Sequence, residues 1–260
     1  MHISYSEMMD WNKCPYYHKL VRVDKIDGFL GNEYTAFGTA IHDACEKALL
    51  NENKVDHAKI FNETFLKELK GLKEIGVPLK KKMVNEMRTQ GTKIAPLAIP
   101  ALNKYFGKFE IVSAEEKLYE PIEDFSLKEY KFKGFIDVVI KTPDGKYHII
   151  DWKTCSWGWD SKKKTDRLVG YQLTLYKHFF SKKHNIDADN IETHFALLKR
   201  TAKKNNVEIF RVTSGKKKTE NALNLMHKSL YNIVKKNYIK NRLSCTRGFG
   251  CNFYKTEHGW

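Results

Sequence analysis

Asp137, Asp151 and Lys153 have the types and spacing for phosphate chemistry, with each acid inside a short apolar run and the lysine two places after the second acid. The runs, residues 132–140 and 147–152, are joined through Pro143, Asp144 and Gly145, whose dipeptides mark a turn. Pro-Asp-Gly suits a three-residue hairpin loop, a type I turn closed by a left-handed glycine. That loop pairs Thr142 with Lys146. Counting back sets Asp137 opposite Asp151 on one face, with Cβ atoms roughly 5 Å apart. Alternation along the second strand puts Ile149, Asp151 and Lys153 on that same side. Two carboxylates so close repel, and need a cation, a shared proton or water. A divalent ion answers best, because hard oxygen ligands favour Mg²⁺ or Mn²⁺. Lys153 can then hold a water or stabilise charge on a phosphate, and the chemistry expected is phosphodiester hydrolysis. The plainer alternative is an Asp151–Lys153 ion pair at a strand end with Asp137 capping the loop; the apolar surroundings of both acids weigh against it. A slip of one residue would turn the two acids to opposite faces.

The flanking segments must position this hairpin. Residues 37–50, FGTAIHDACEKALL, place Ile41, Ala44, Cys45 and Ala48 at helical spacing. His42 lies beside that stripe and Gly38 one turn before it, so the helix can approach a sheet with His42 aimed at the acid pair; alternatively His42 is a half-buried histidine bonded to a carbonyl. Residues 4–20 read as two short helical turns interrupted at Pro15. From about 56 to 106 the pattern stays helical, with breaks at 71–78 and 96–100, and the stripe of Phe61, Phe65 and Leu69 is core. Residues 110–121 read as a strand leading into the hairpin, with Glu115 and Glu116 on opposite faces; Glu116 is the candidate to line the site. The loop 155–164, CSWGWDSKKK, can stack on bases and neutralise phosphates, or its tryptophans can pin it to the core. A helix at 166–180 carries Gln172 and Tyr176 four apart on one face. Strands at 191–198 and 207–212, a helix at 220–237 and a tail at 242–260 with Cys245 and Cys251 complete the chain.

At 260 residues the chain suits one substantial core with an insertion. Hydrophobic residues at 42% and aromatics at 13% argue against general disorder. Lys and Arg number 46 against 31 acids, a net charge of +15 that points to a polyanionic partner, nucleic acid before an acidic membrane surface. No apolar run is long enough to span a membrane and no signal peptide opens the sequence, so a soluble, intracellular, cytoplasmic protein is expected. Five cysteines in no regular pairing fit a reducing compartment.

In order, the elements SYSEMMDWNKCP, Gly38-Thr-Ala-Ile-His42, GFIDVVI, the Asp151-Trp-Lys153 triplet and Tyr171-Gln-Leu-Thr-Leu-Tyr176 resemble the PD-(D/E)xK nuclease superfamily, and within it the RecB-type exonucleases. The resemblance spans most of the chain. It implies an α/β fold with a restriction-endonuclease-like core: a central mixed β-sheet flanked by helices, in a single domain over 1–260, with a helical insertion at about 52–107 and a C-terminal helix and tail at about 216–260. By the same resemblance His42, Asp137, Asp151 and the Trp152 carbonyl ligate Mg²⁺ or Mn²⁺, Lys153 activates water or steadies the phosphate, and Gln172 and Tyr176 hold substrate. The activity implied is a metal-dependent DNA exonuclease of recombination, repair or processing; the compact length without helicase motifs adds the expectation of a stand-alone, phage-encoded enzyme. Its rivals are a structure-selective or CRISPR-adaptation-type endonuclease and a catalytically silent DNA clamp. No partner protein is implied. Several relatives hold a four-iron cluster on one N-terminal and three C-terminal cysteines. Here Cys14 matches the first position, the tail offers only Cys245 and Cys251, and Gly248 and Glu257 stand where further thiolates would be sought, so no iron–sulfur cluster is expected. Cys14 is instead expected to pack the N-terminus onto the tail.

Overall fold

A computed structural model describes residues 1–26, 28–51, 54–123, 125, 130–248 and 250–258. The first two residues of the expected insertion, 52 and 53, and residues 249, 259 and 260 of the expected tail lie outside this set.

Strands form where β-branched and aromatic residues alternate or cluster: β1 (His2–Ser4), β2 (Glu110–Pro121), β3 (Lys131–Lys141), β4 (Tyr147–Cys155), β5 (Ile191–Lys199) and β6 (Val207–Val212). Their hydrogen-bonded order is β1-β3-β4-β5-β6, with β2 also paired to β3. β1–β3 and β4–β5 run parallel, whereas β3–β4 and β5–β6 run antiparallel, so the sheet is mixed. Parallel neighbours need a long crossover. Between β4 and β5 it is supplied by α7 and α8, at Ser161–Lys164 and Arg167–His184. β1, three residues long, is too short to show an alternation in sequence.

The other helices are α1 (Tyr5–Lys13), α2 (Pro15–His18), α3 (Glu33–Leu50), α4 (His57–Glu74), α5 (Lys81–Ile94), α6 (Ala98–Phe106), α9 (Lys216–Val234) and α10 (Leu243–Thr246). Pro15 opens α2 at a position where its missing N–H costs nothing, and a π-helical turn at Lys19–Val23 follows. α3 starts four residues earlier than its apolar stripe indicates. Asn32 caps it by accepting from Tyr34 and Thr35 N–H, while Thr35 Oγ1 accepts from Asn32 N–H.

Two compact units are distinguishable, residues 1–30, 119–134 and 215–260 in one, and 31–118 and 135–214 in the other. In the first, α1 packs on α9 and β1 pairs with residues 131–133. Cys14 is buried there, its sulfur accepting from Asn241 N–H at 3.3 Å. The second holds the main core, in which α3 to α6 cover Val138, Ile140, Ile150, Trp152, Ala196 and Leu198. Phe37, Phe61 and Phe65 form an aromatic knot inside it, with ring centroids 5.3 to 6.1 Å apart. Among the described residues no helix is long and apolar enough to cross a membrane.

Candidate active site

The hairpin register follows from its loop. Thr142 N–H donates to the Lys146 carbonyl at 3.0 Å, Gly145 N–H to the Thr142 carbonyl at 2.9 Å, and Gly145 takes φ +85°, the left-handed glycine this loop needs. Lys141 pairs with Tyr147, Ile140 with His148, Val139 with Ile149 and Val138 with Ile150. The expected pair of Asp137 with Asp151 lies one step beyond that ladder. The pairing stops at Val138, and Asp137 Oδ2 instead accepts from the Trp152 N–H at 2.7 Å. Asp137 thus spends one oxygen on fixing the strand, and Oδ1 is turned to His42 Nδ1 at 3.4 Å.

Asp151 is 2% exposed, and its Oδ2 lies 2.6 Å from Lys153 Nζ. The contact is one of charge rather than hydrogen-bond alignment, because Oδ2 remains a buried oxygen with no aligned donor. Burial pushes the carboxyl up, Lys153 opposes and Asp137 reinforces it, to about 6. For His42 burial alone acts downward, but the hydrogen bond and charge of Asp137, then the charge of Asp151, outweigh it and hold the imidazole above its ordinary value. Gly38 comes close to β4 with space left, since a methyl there would stand 3.6 Å from Thr154 Oγ1.

Two turns of α8 add polar groups to the acids. Asp166 caps the helix on the N–H groups of Leu168 and Val169. Gln172 Nε2 donates to Tyr176 Oη at 3.1 Å. Burial first, then the charge of Asp151, raises the Tyr176 phenol above its ordinary range, so it stays a neutral donor. Asp137 thus meets His42 and the Trp152 N–H, Asp151 meets Lys153 and acts on Tyr176, and Gln172 is joined to them through Tyr176.

Glu116 is not part of this set. Lys183 Nζ bonds its carboxylate at 2.8 Å and Ser113 Oγ at 2.6 Å, with His184 also in contact, at the far end of α8. The cavity beside His42 is lined instead by Glu115, together with Asp43, Glu46 and Glu63. Glu115 has φ +50°, a left-handed residue inside β2 that breaks the simple alternation. Nothing in the residue types around it signals that bend. The tryptophans of the 155–164 loop divide their roles. Trp159 is pinned on Phe195, with ring centroids 5.1 Å apart, whereas Trp157 is 75% exposed. Of the three cysteines, Cys14 contacts Ile239 and Asn241, and burial first raises the Cys251 thiol, which shares a hydrogen bond with the free thiol of Cys245.

No metal site can be read from charge alone, but the donors here suit a hard or borderline divalent ion: one imidazole, two carboxylates and a buried oxygen lacking an aligned donor. The His42, Asp137 and Asp151 atoms are not drawn together as a set of three; among the described residues the gathered group is His148, Glu192 and His194.

The profile of the PD-(D/E)XK nuclease superfamily matches residues 2–252. A crystal structure of a protein from Eubacterium rectale, named as a candidate exonuclease, is 15% identical, covers 93% of this chain and 85% of its own, and superposes with a TM-score of 0.59. SSO0001 is 16% identical over 83% of this chain and 82% of its own, at a TM-score of 0.39. No curated protein matches the sequence.

Proposed function

Because the chain belongs to the PD-(D/E)XK nuclease superfamily, we propose that it is a metal-dependent deoxyribonuclease that degrades DNA from its ends, in recombination, repair or processing. The observation that carries this reading is Asp151, a carboxylate buried beside both Asp137 and the Lys153 ammonium. Its burial is costly unless charge is brought to it. The family match over 2–252 supports treating the whole chain as one nuclease domain.

Mg²⁺ or Mn²⁺ would be held by His42 Nδ1, Asp137 Oδ1, Asp151 and the Trp152 carbonyl. When bound, the ion lowers the pKa of a water and offsets phosphate charge. Asp137 keeps its orientation through the Trp152 N–H, and so presents a single oxygen. Lys153 Nζ orients the attacking water and then meets charge growing on the phosphoryl oxygens. Gln172 and Tyr176 offer neutral donors to those oxygens and fix the backbone without reading sequence. The cavity wall sets Asp43, Glu46, Glu63, Glu68 and Glu115 against Lys47 and Lys67, and its excess of acids raises the local concentration of divalent cations.

End-labelled linear, circular single-stranded and supercoiled DNA, each incubated with Mg²⁺, Mn²⁺ or chelator, tests the proposal. Linear DNA should be degraded with metal and both circles left intact. Nicked or linearised circles would replace exonuclease by endonuclease, and binding without cleavage in any metal would leave only a clamp.

A further inference from the structure

Alternation along β4 sends His148 to the face opposite Asp151, three residues away. There it pairs in register with Glu192 of β5, while His194 stands two residues further on the same face. His148 and His194 are 6% and 2% exposed. His148 Nδ1 lies 3.2 Å from His194 Nε2 and 3.8 Å from Glu192 Oε2, and His194 Nε2 lies 3.9 Å from that same oxygen.

The hydrogen bonds around this cluster turn the His148 Nδ1 lone pair inward to a donating His194 Nε2–H, and a cation bound there would shift that proton to His194 Nδ1. The Thr142 hydroxyl proton goes to Asp144 Oδ1 or to the Lys146 carbonyl. In either case Thr142 Oγ1 must accept from His148 Nε2, 2.9 Å away, which leaves the His148 Nδ1 lone pair facing inward. Glu192 Oε1 takes both Lys146 and Arg211, at 3.2 and 3.3 Å, so Oε2 is the oxygen turned to the imidazoles. His194 Nδ1 is buried with no partner, so its ring is held only from the cluster side. Phe106 packs against both imidazoles, 4.9 and 5.0 Å between centroids, and Tyr105 against His194 at 5.7 Å.

We propose that His148, Glu192 and His194 form a second cation site, on the face of β4 opposite Asp151, that takes a divalent transition ion of the zinc class. Zn–N and Zn–O bonds of about 2.0–2.2 Å in a tetrahedron set ligand atoms about 3.3–3.6 Å apart. The separations of 3.2, 3.8 and 3.9 Å need only small movements to match. Two imidazoles against an aromatic wall suit zinc, whereas Mg²⁺ asks for oxygen ligands and keeps its waters. Thr142, bonded to His148, supplies the outer hydrogen bond that orients a metal-bound histidine. Three protein ligands leave one position for water, and the ion ties β4, β5 and the hairpin loop together.

The test uses tag-free full-length protein, stripped with chelator and reloaded with Zn²⁺ alone or Co²⁺ alone. Wild type, Asp137→Asn/Asp151→Asn, Glu192→Gln, His194→Gln and Thr142→Ala are compared by bound-metal content after gel filtration, by the visible bands of four-coordinate Co²⁺ and their titration, and by circular dichroism. The expected result is one zinc per chain in wild type and in the Asp137/Asp151 variant, with the cobalt bands in both. Zinc and bands should be lost in Glu192→Gln and His194→Gln, and Thr142→Ala should bind about 10–100-fold more weakly. Should His194→Gln misfold, the nearly isosteric Glu192→Gln decides. Zinc retained in Glu192→Gln, zinc lost only in the Asp137/Asp151 variant, or none in wild type would each overturn the site and leave a direct imidazole–imidazole hydrogen bond. None of these outcomes depends on nuclease activity.

Discussion

Asp151 and Lys153 are the side chains on which the proposed chemistry turns, since one is a buried acid and the other its close ammonium neighbour. Asp151→Asn and Lys153→Met should each lower cleavage of linear DNA by about 10²–10⁴-fold with an unchanged circular dichroism spectrum. Activity near wild type in either would refute the assignment. Glu116 makes a separate prediction about stability. Burial alone would raise its carboxyl, but bonds from Lys183, Ser113 and His184 outweigh that and lower it below the ordinary 4.5. A carboxyl so depressed stabilises the fold above its unfolded pKa and loses that contribution as pH falls through the folded value. Urea midpoints of wild type should therefore exceed those of Glu116→Gln at pH 6, with the gap closing below about pH 4, near the reference carboxylate range. An equal gap at every pH would mean that the carboxylate charge contributes nothing. At this scale the sequence is legible where local chemistry fixes geometry. Pro-Asp-Gly specifies the hairpin register from Lys141–Tyr147 to Val138–Ile150, one step short of the two acids. Glu115 is not legible, because the left-handed residue that interrupts the alternation of β2 has no signal in the residue types, and it is Glu115 that lines the cavity beside His42.

Among the elements, the pairing of α4 with α5 depends on one residue without a side chain. A Cβ on Gly91 would stand 1.9 Å from the ring of Phe61, itself stacked on Phe65 and fully buried. Gly91→Ala gains helix propensity of up to about 1 kcal/mol. Displacing a packed phenyl ring costs about 1–3 kcal/mol, so net destabilisation is expected, read as a lower urea midpoint. A raised midpoint would show that the ring moves freely. The helix stripes were readable because Phe61, Phe65 and Leu69 recur at helical spacing, and so were β3 to β6. β1 and the early start of α3 were not. One is a pairing of residues 2–4 with residues 131–133, distant in sequence, and the other rests on a cap that precedes the apolar stripe. The 155–164 loop was undecided in sequence because its tryptophans take opposite roles, Trp159 packed and Trp157 exposed.

Over the whole molecule the net charge of +15 coexists with an acidic wall beside His42. Charge of the first kind acts at long range and without sequence preference, while the second acts on small cations near the site. Binding of DNA by the Asp151→Asn variant should consequently fall steeply with salt, by about 10³-fold or more between 50 and 200 mM if six or more phosphates are neutralised. Titration by fluorescence anisotropy measures the slope, and a flat response would mean that the positive charge does not face the substrate. The sign of the net charge was plain from composition. The acidic wall was not, because Asp43 and Glu46 of α3, Glu63 of α4 and Glu115 of β2 converge only through tertiary packing.

The loop Thr142–Lys146 has a bearing on how this gene can vary. Its hydrogen bonds hold the strand pairing at one count, with acids on one side of β4 and the His148 cluster on the other. Codon changes at Pro143 or Asp144 leave that count intact and should be tolerated in descendants. An in-frame gain or loss of one codon there rotates β3 against β4 and carries Asp137 away from Asp151. Length in this loop is therefore expected to be inherited more strictly than its letters.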